Sequence, residues 1–448
     1  MSLSHRVPLA LLAGILIGAS VSLTSGVLAD RSKAAETVPV KDLQTFVEIL
    51  NRVKSDYVEP VDDKTLLENA VRGMLTGLDP HSAYLDKEEF REMNIATSGK
   101  FGGLGIEVQM QDGFVRVVAP IDDTPAARAG IEPGDLIVKI DETPVKGLSL
   151  NDAVTRMRGD PGTKVTLTLV REGESAPKVM ELERDVIKVS SVRGRMLEPG
   201  MAYLRISSFT TDTGPALEKE VARLSGEAGG SLKGVILDLR NNPGGVLDAA
   251  VKVSDSFLDK GTIVSIRGRD GNGGREFGAS NGDVLGGKPL IVMINAGSAS
   301  ASEIVAGAIQ DHHRGILVGS RTFGKGSVQT ILPLSNEGAI KITTARYYTP
   351  GGRSIQAEGI EPDIPIRPLQ IARSEGSEEA DTLTPISEAD LAKSLANENG
   401  DPAHQDEVAK KRELAEKQAK QARELAENDY ALYEALNLLK GLVIAQAR

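Results

Sequence analysis

Leu43, Val47, Leu50, Val53 and Tyr57 recur at intervals of three and four residues, as do Leu67, Val71 and Met74. That period places each set on one face of a helix, so residues 40–95 read as a helical segment. Asp86-Lys-Glu-Glu89 has the form of a capping box and starts a third short helix. The segment is small and should pack on something larger, such as a second subunit. After residue 98 the period shortens to two. Alternating apolar positions at 105–108, 114–118, 136–140 and 165–170 are separated by Asp-Gly and Pro-Gly turns. With short helices at 125–129 and 150–157, residues 98–186 read as a small, mostly β domain.

From 195 to 368 the pattern alternates. Apolar runs of strand length fall at 202–206, 235–239, 263–266, 290–294 and 316–318, with helical stretches at 212–225, 246–258 and 301–313 between several of them. Such alternation predicts an α/β domain with a partly parallel sheet. The Gly-rich stretch 268–288 reads as a long surface loop or hairpin. Residues 370–405 are acidic, rich in Ser and Glu and poor in large apolar residues, which predicts a disordered linker. Residues 406–446 read as helix, polar at first and then striped by Leu432, Leu436, Leu439 and Val443. That stripe needs a partner surface, in this chain or in another protomer.

Composition narrows the functional classes. A net charge of −11, an aromatic content of 3% and no Trp argue against nonspecific nucleic-acid binding. With no cysteine, disulfides, thiolate metal sites and a cysteine nucleophile are excluded. The five histidines form no set with metal-ligand spacing, and the reading requires neither metal nor cofactor. His5-Arg6 precedes an apolar run at 7–28, and Val27-Leu28-Ala29 offers small residues at a cleavage-like position. Residues 1–29 are read as a signal peptide or an uncleaved inner-membrane anchor. Either predicts a periplasmic or extracytoplasmic protein.

The stretch Asn295-Ala-Gly-Ser-Ala-Ser300-Ala-Ser-Glu303 follows an apolar strand and opens a helix. A serine there meets free N–H groups and the positive end of a helix dipole, which suit an oxyanion. Ser298, Ser300 and Ser302 could equally be caps of that helix, and the local sequence leaves both readings open. Asn241-Asn-Pro-Gly244-Gly245 is a second strand-to-helix turn. It is either an oxyanion hole or an ordinary βα turn.

Lys325 can act as a base only if burial lowers its pKa; a single lysine is otherwise a solvated side chain. Gln329 could hold its ammonium head, but four residues of straight strand span about 13 Å, so the pairing needs a bent backbone. His312 and His313 lie at the far end of the serine's predicted helix, about 18 Å away, out of reach of Ser300. In the β domain, Gly102-Gly-Leu-Gly-Ile106 can receive a peptide carboxylate on consecutive N–H groups, with the helix at 150–157 as the facing wall. A plain glycine turn is the alternative.

Together the motifs resemble a known family. Gly-Leu-Gly-Ile at 103–106 and Pro-Ala-Ala-Arg-Ala-Gly-Ile-Glu-Pro-Gly-Asp at 125–135 are similar to a PDZ domain. Asp238-Leu-Arg-Asn-Asn-Pro-Gly-Gly245, Gly297-Ser-Ala-Ser-Ala-Ser-Glu303 and Thr322-Phe-Gly-Lys-Gly-Ser-Val-Gln329 resemble the carboxy-terminal processing (tail-specific) serine proteases. The resemblance covers about residues 40–368. It implies an α/β protease core of Clp-protease/crotonase type at 190–368, a PDZ domain at 98–186 and helical terminal segments. It further implies Ser300 as nucleophile, Lys325 as general base and Gln329 as the residue that orients the lysine. Oxyanion donors would be the backbone N–H groups of Gly245 and Ala301, with Glu303 and Thr322 supporting. Gly103, Leu104, Gly105 and Ile106 would bind peptide.

The resulting expectation is an exported serine endopeptidase that captures apolar C-terminal tails and cleaves them through an acyl-enzyme. It would form a homodimer or larger homo-oligomer, with room for an adaptor. The alternatives are an inactive PDZ scaffold, or a PDZ-gated protease that needs an activating partner. A trypsin-like protease with a PDZ is disfavoured, because the chain lacks a His-Asp-Ser order.

Overall fold

The computed structural model describes residues 39–367, except 175, 270–273 and 281, together with 417, 420 and 423–447. Residues 1–29, read as a signal peptide or anchor, the stretch 370–405 read as an acidic linker, and most of 406–422 lie outside the described residues. The chain divides after Leu78 into two units. The first holds two helices, Val40–Asp56 and Asp63–Thr76. The second of these is capped by Asp62, whose carboxylate accepts from Thr65 N at 2.9 Å. Val40–Asp56 buries no residue, and Leu43, Phe46 and Val47 are exposed along it.

In the second unit, Ala83–Leu85 is a strand, where the periodicity of 40–95 suggests only helix. It pairs antiparallel with Ala339–Tyr348, and three residues are too few to show a period against flanking helices. Lys87–Ser98 follows, with the capping box of Asp86 and Glu89 in place.

The small domain is a sheet of Ile106–Gln111, Phe114–Pro120, Leu136–Ile140, Lys164–Val170 and Lys178–Glu183, with Thr143–Pro144 beside Leu136–Ile140. Its inward positions Val115, Val117, Ile137, Val165, Leu167 and Leu169 close over Ala153 and Met157 of the helix Leu150–Met157. A two-stranded ribbon, Lys100–Gly103 with Asp185–Lys188, ties the domain's entry and exit together.

The core is a six-stranded sheet in the order Val192–Glu198, Met201–Ile206, Gly234–Asp238, Leu290–Ile294, Ile316–Gly319 and Ile364–Pro365, antiparallel only at the first pair. Gly234–Asp238 and Leu290–Ile294 are buried at every position, as expected of central parallel strands covered on both faces. One face carries the helices Thr213–Glu227, Leu247–Asp255 and Ala301–Asp311. The other is covered by the C-terminal helix Tyr430–Gln446, whose Leu432, Ala435, Leu436 and Leu439 pack on Ile236, Ile291, Met293 and Val318. Most of the apolar stripe is therefore satisfied within the chain, and it no longer argues for a second protomer. The 406–446 helix is also not continuous where described. It breaks at Asp429, which leaves helical geometry with φ −151° and ψ 80° and whose side chain caps the new helix at Leu432 N, 3.0 Å.

A second sheet flanks the core. Ala339–Tyr348 lies between Ala83–Leu85 and Thr262–Gly268, and Ser327–Pro333 also pairs with it. Arg275–Gly278 forms a hairpin with Thr262–Gly268, the second of the two forms considered for the Gly-rich stretch.

Candidate active site

The parallel strands Gly234–Asp238 and Leu290–Ile294 end side by side, and the loops leaving their carboxyl ends are laced together. Asn241 and Asn295 exchange bonds, Asn241 N to Asn295 Oδ1 and Asn295 Nδ2 to Asn241 Oδ1, both 2.9 Å. Buried Asn242 donates to the Ile206 carbonyl at 2.9 Å and accepts from Gly244 N at 2.9 Å. Its own carbonyl accepts from Ala299 N at 3.0 Å and from Ser302 Oγ at 2.9 Å. Ser298 Oγ donates to the Leu239 carbonyl at 2.8 Å. Ser298 and Ser302 are thus committed to holding the two loops together.

Ser300 is different. It is buried at the start of Ala301–Asp311 with φ +53° and ψ −109°, a region that a side chain enters only at a cost of about 1–3 kcal/mol. Gly244 lies against it. A β-carbon at Gly244 would stand 2.9 Å from Ser300 Cβ and 3.0 Å from Ala301 N, so only glycine permits this approach. Gly245 adopts φ +144° and bridges to Phe209. The N–H groups of Gly245 and Ala301 are both unengaged by any hydrogen bond among the described residues. Tyr347, buried here, interacts with the Ser300 side chain, and burial pushes its phenol above its ordinary 10.0.

Glu303 organises the other wall. Fully buried, it accepts from Ser300 N (2.7 Å), Thr322 Oγ1 (2.6 Å), Gly324 N (2.7 Å) and Lys325 N (2.9 Å). One carboxylate therefore fixes the first turn of the serine helix to the 322–325 loop. Four donors offset the cost of burying its charge. Thr322 completes the joint by accepting from Ile360 N at 2.7 Å.

Lys325 is half-buried and forms no ion pair among the described residues. Desolvation, reinforced by the nearby Lys341 ammonium, holds its pKa below the ordinary 10.5, against the opposing pull of Asp79 and Glu303. No hydrogen bond joins Lys325 to Ser300 or to Gln329 among the described residues. Gln329 sits in the strand Ser327–Pro333, just after a bulge at Val328, and donates to Ser327 Oγ at 2.9 Å and Thr343 Oγ1 at 3.2 Å. The only irregularity described in that strand is this register shift, and the Lys325–Gln329 contact is not made.

His312 bonds the Thr262 carbonyl at 2.7 Å, at the far end of the helix. His81 is the histidine that sequence reading missed. Burial and the charge of Lys325 both lower its pKa. It belongs to Asp79-Pro-His-Ser82, a turn without periodicity, and only the pairing of Ala83–Leu85 with Ala339–Tyr348 carries it to the site.

In the small domain a cleft of about 110 Å³ is lined by Gly103, Leu104, Gly105, Ile106, Val154 and Met157. The glycine loop and the helix Leu150–Met157 are its two walls. Arg158 also lines it, stacked over Phe101 at 4.8 Å and bonded to both oxygens of Glu92 at 3.1 Å.

Comparison with known proteins identifies the family and its domains. Residues 200–366 match the family described as Peptidase family S41, and residues 102–177 match the PDZ domain. Residues 18–89 match the domain described as Activating protease CtpB N-terminal domain. The chain is similar to a carboxy-terminal-processing protease of Bartonella bacilliformis, 49% identical over 79% of this chain and 80% of that protein. It is also similar to the carboxy-terminal processing protease CtpA of Bacillus subtilis, 37% identical over 70% and 66% of the two chains. Among solved structures, a photosystem II D1 C-terminal processing protease aligns at 33% identity over 71% of this chain and 86% of that one, with a TM-score of 0.42. The chain belongs to the carboxy-terminal processing proteases, serine peptidases that carry a PDZ domain.

Proposed function

We propose that this protease cleaves exported proteins near their C-termini through an acyl-enzyme, with Ser300 as nucleophile and Lys325 as base. The observation that carries the reading is the strained, buried Ser300 at a helix N-terminus, with Gly244 against it and its backbone tied through Glu303 to that of Lys325, a half-buried lysine of lowered pKa. Neutral Lys325 Nζ takes the Ser300 proton as Oγ attacks the scissile carbonyl. The oxygen, now an anion, receives hydrogen bonds from Gly245 N and Ala301 N. Collapse breaks the C–N bond, and the Lys325 ammonium returns its proton to the departing amine. Water then attacks the ester with Lys325 again as base, and Ser300 is released. Gln329 orients the lysine through its amide oxygen.

The PDZ cleft recognises an apolar tail, its carboxylate bound by the Gly103–Ile106 loop, with the tail added as a strand beside Ile106–Gln111. The intact set of Ser300, Lys325 and Gln329 favours a gated protease over an inactive scaffold. Bound substrate, or an adaptor, would bring Lys325, Gln329 and Ser300 into line. The apolar run at 7–28 carries the proposal of export, as a cleaved signal or an inner-membrane anchor. The bare apolar face of Val40–Asp56 favours self-association.

The test is peptide hydrolysis by Ser300→Ala, Lys325→Ala and the double variant. Each single change should abolish turnover with the melting temperature retained, and the double should be no worse, because residues that act as a unit do not add. Substantial turnover by Lys325→Ala at neutral pH would remove the lysine from its role.

A further inference from the structure

We propose that Asp79, acting through Thr343, is a positioning residue that sets the orientation of the Gln329 amide and so turns its carbonyl oxygen toward Lys325. The inference rests on the reading of Ser300, Lys325 and Gln329 as the reacting set.

The argument is one of hydrogen-bond polarity. An ionised carboxylate only accepts. Asp79 accepts from His81 N (2.8 Å), Ser82 N (3.0 Å), Ser82 Oγ (2.6 Å) and Thr343 Oγ1 (3.1 Å). These bonds hold its pKa below the ordinary 3.8, the Ser82 hydroxyl contributing most, so it is charged at neutral pH. Thr343 has a single hydroxyl proton and gives it to Asp79. What it presents to Gln329, its cross-strand neighbour, is therefore a lone pair. Only the NH2 end of the amide can bond there, as Nε2 does at 3.2 Å.

The amide is planar, so its Oε1 is turned to the opposite side and remains an unused acceptor among the described residues. Thr343 is itself held, its N–H donating to Ser82 Oγ at 3.1 Å. Without Asp79 the hydroxyl could donate to Gln329 instead, and the amide could present either end. The turn 79–82, far from the catalytic motifs in sequence, thereby decides which atom of Gln329 can meet an ammonium.

Kinetics on the full-length protein with one tail peptide test this. Gln329→Ala and Thr343→Val should each lower kcat roughly tenfold or more with little change in KM, and Gln329→Ala/Thr343→Val should be no worse than Gln329→Ala alone. Thr343→Ser, which keeps the hydroxyl, should restore kcat. Asp79→Asn should lower kcat and also move the alkaline rise of kcat/KM to lower pH. The charged and titratable groups facing Lys325 are Asp79, His81, Glu303 and Lys341, and that variant deletes one negative charge. If Gln329→Ala loses activity while Thr343→Val keeps it, the relay is wrong and the reacting set stands. If Gln329→Ala is fully active, the role of Gln329 fails and the inference with it. A further loss on adding Thr343→Val to Gln329→Ala would show that Thr343 acts through the fold instead. Should Asp79→Asn fail to fold, the Thr343 and Gln329 variants decide alone.

Discussion

At the scale of the residue, the site depends on two conformations that the fold imposes against local preference. Ser300 holds φ +53° and Gly244 φ +100°. Alanine at 244 would meet the Ala299 carbonyl at 2.7 Å. Gly244→Ala should therefore lose nearly all hydrolysis and cost about 1–3 kcal/mol of stability, read by peptide assay and thermal melt. Lys325 is an amine kept half out of water near the Lys341 ammonium, both of which lower its pKa. Replacing Lys341 by Gln removes the like charge, which raises the Lys325 pKa and shifts the rise of kcat/KM to higher pH; activity should fall at pH 7 and recover in alkali. His81→Gln should leave that rise in place. Its loss would make the histidine, not the lysine, the titrating base. Because the folded Lys325 pKa lies below its unfolded 10.5, this group's burial costs stability below the lowered value, and the cost fades as pH rises toward 10.5. Lys325→Met should accordingly melt higher at neutral pH while being inactive.

At the scale of the element, the C-terminal helix is joined to the loop that carries Gly244 and Gly245. Arg240 sits just before that loop. Its guanidinium grips Asp238 and, by a two-pronged contact of 2.9 and 2.7 Å, Asp429 at the helix cap. Burial would raise the Asp429 carboxyl, but the Arg240 hydrogen bonds override it and hold the pKa below 3.8. The contribution is thus complete above the unfolded value, near pH 4, and is lost as pH falls through the lowered folded value. Asp429→Asn should cost roughly 1.5–3 kcal/mol at pH 7, the range for bonds to charged groups, and progressively less as pH falls below about 4, read by urea titration. Leu439→Ala, deep in the helix–sheet contact, should cost about 2–5 kcal/mol. Truncation before residue 423 should uncover the sheet face and lower the melting temperature. It should not act by dissociating protomers, since the stripe packs in cis.

At the scale of the whole molecule, two properties follow from surfaces left open. Leu43, Phe46 and Val47 form an apolar face on Val40–Asp56 with nothing buried, so self-association should run through this helix. Leu43→Glu with Val47→Glu should lower the sedimentation coefficient; a wild-type protein that sediments as a monomer at micromolar concentration would refute it. The PDZ cleft should discriminate free from amidated tails, because a ligand shifts a gate only by binding its two states differently. A free-acid peptide should show higher kcat/KM than its amide, and deletion of residues 98–186 should erase the difference. Equal rates in wild type would end the carboxylate-gating reading.

The motifs around Ser300, Lys325 and Gly245 were legible through their combined resemblance to a family, since the local chemistry of a glycine pair, a serine opening a helix and a lysine among glycines left each reading open. So were most strands and helices, whose periods of two and 3.6 belong to single elements. The strand Ala83–Leu85 escaped because three residues carry no period. Asp79, His81 and Thr343 escaped because their importance lies in contacts between segments more than two hundred and forty positions apart. The C-terminal stripe announced a need for cover without saying by what. Amphipathic pattern records how much apolar surface must leave water, whereas the partner depends on where the chain returns. The sequence by itself determined most of the elements, and its resemblance to a family supplied the candidate nucleophile and the PDZ loop. Only the tertiary structure decided that the helix is spent in cis, that Gln329 bonds Thr343 and not Lys325, and that a histidine stands beside the lysine. Those are facts of distance between residues remote in sequence, and pattern along a chain does not encode distance.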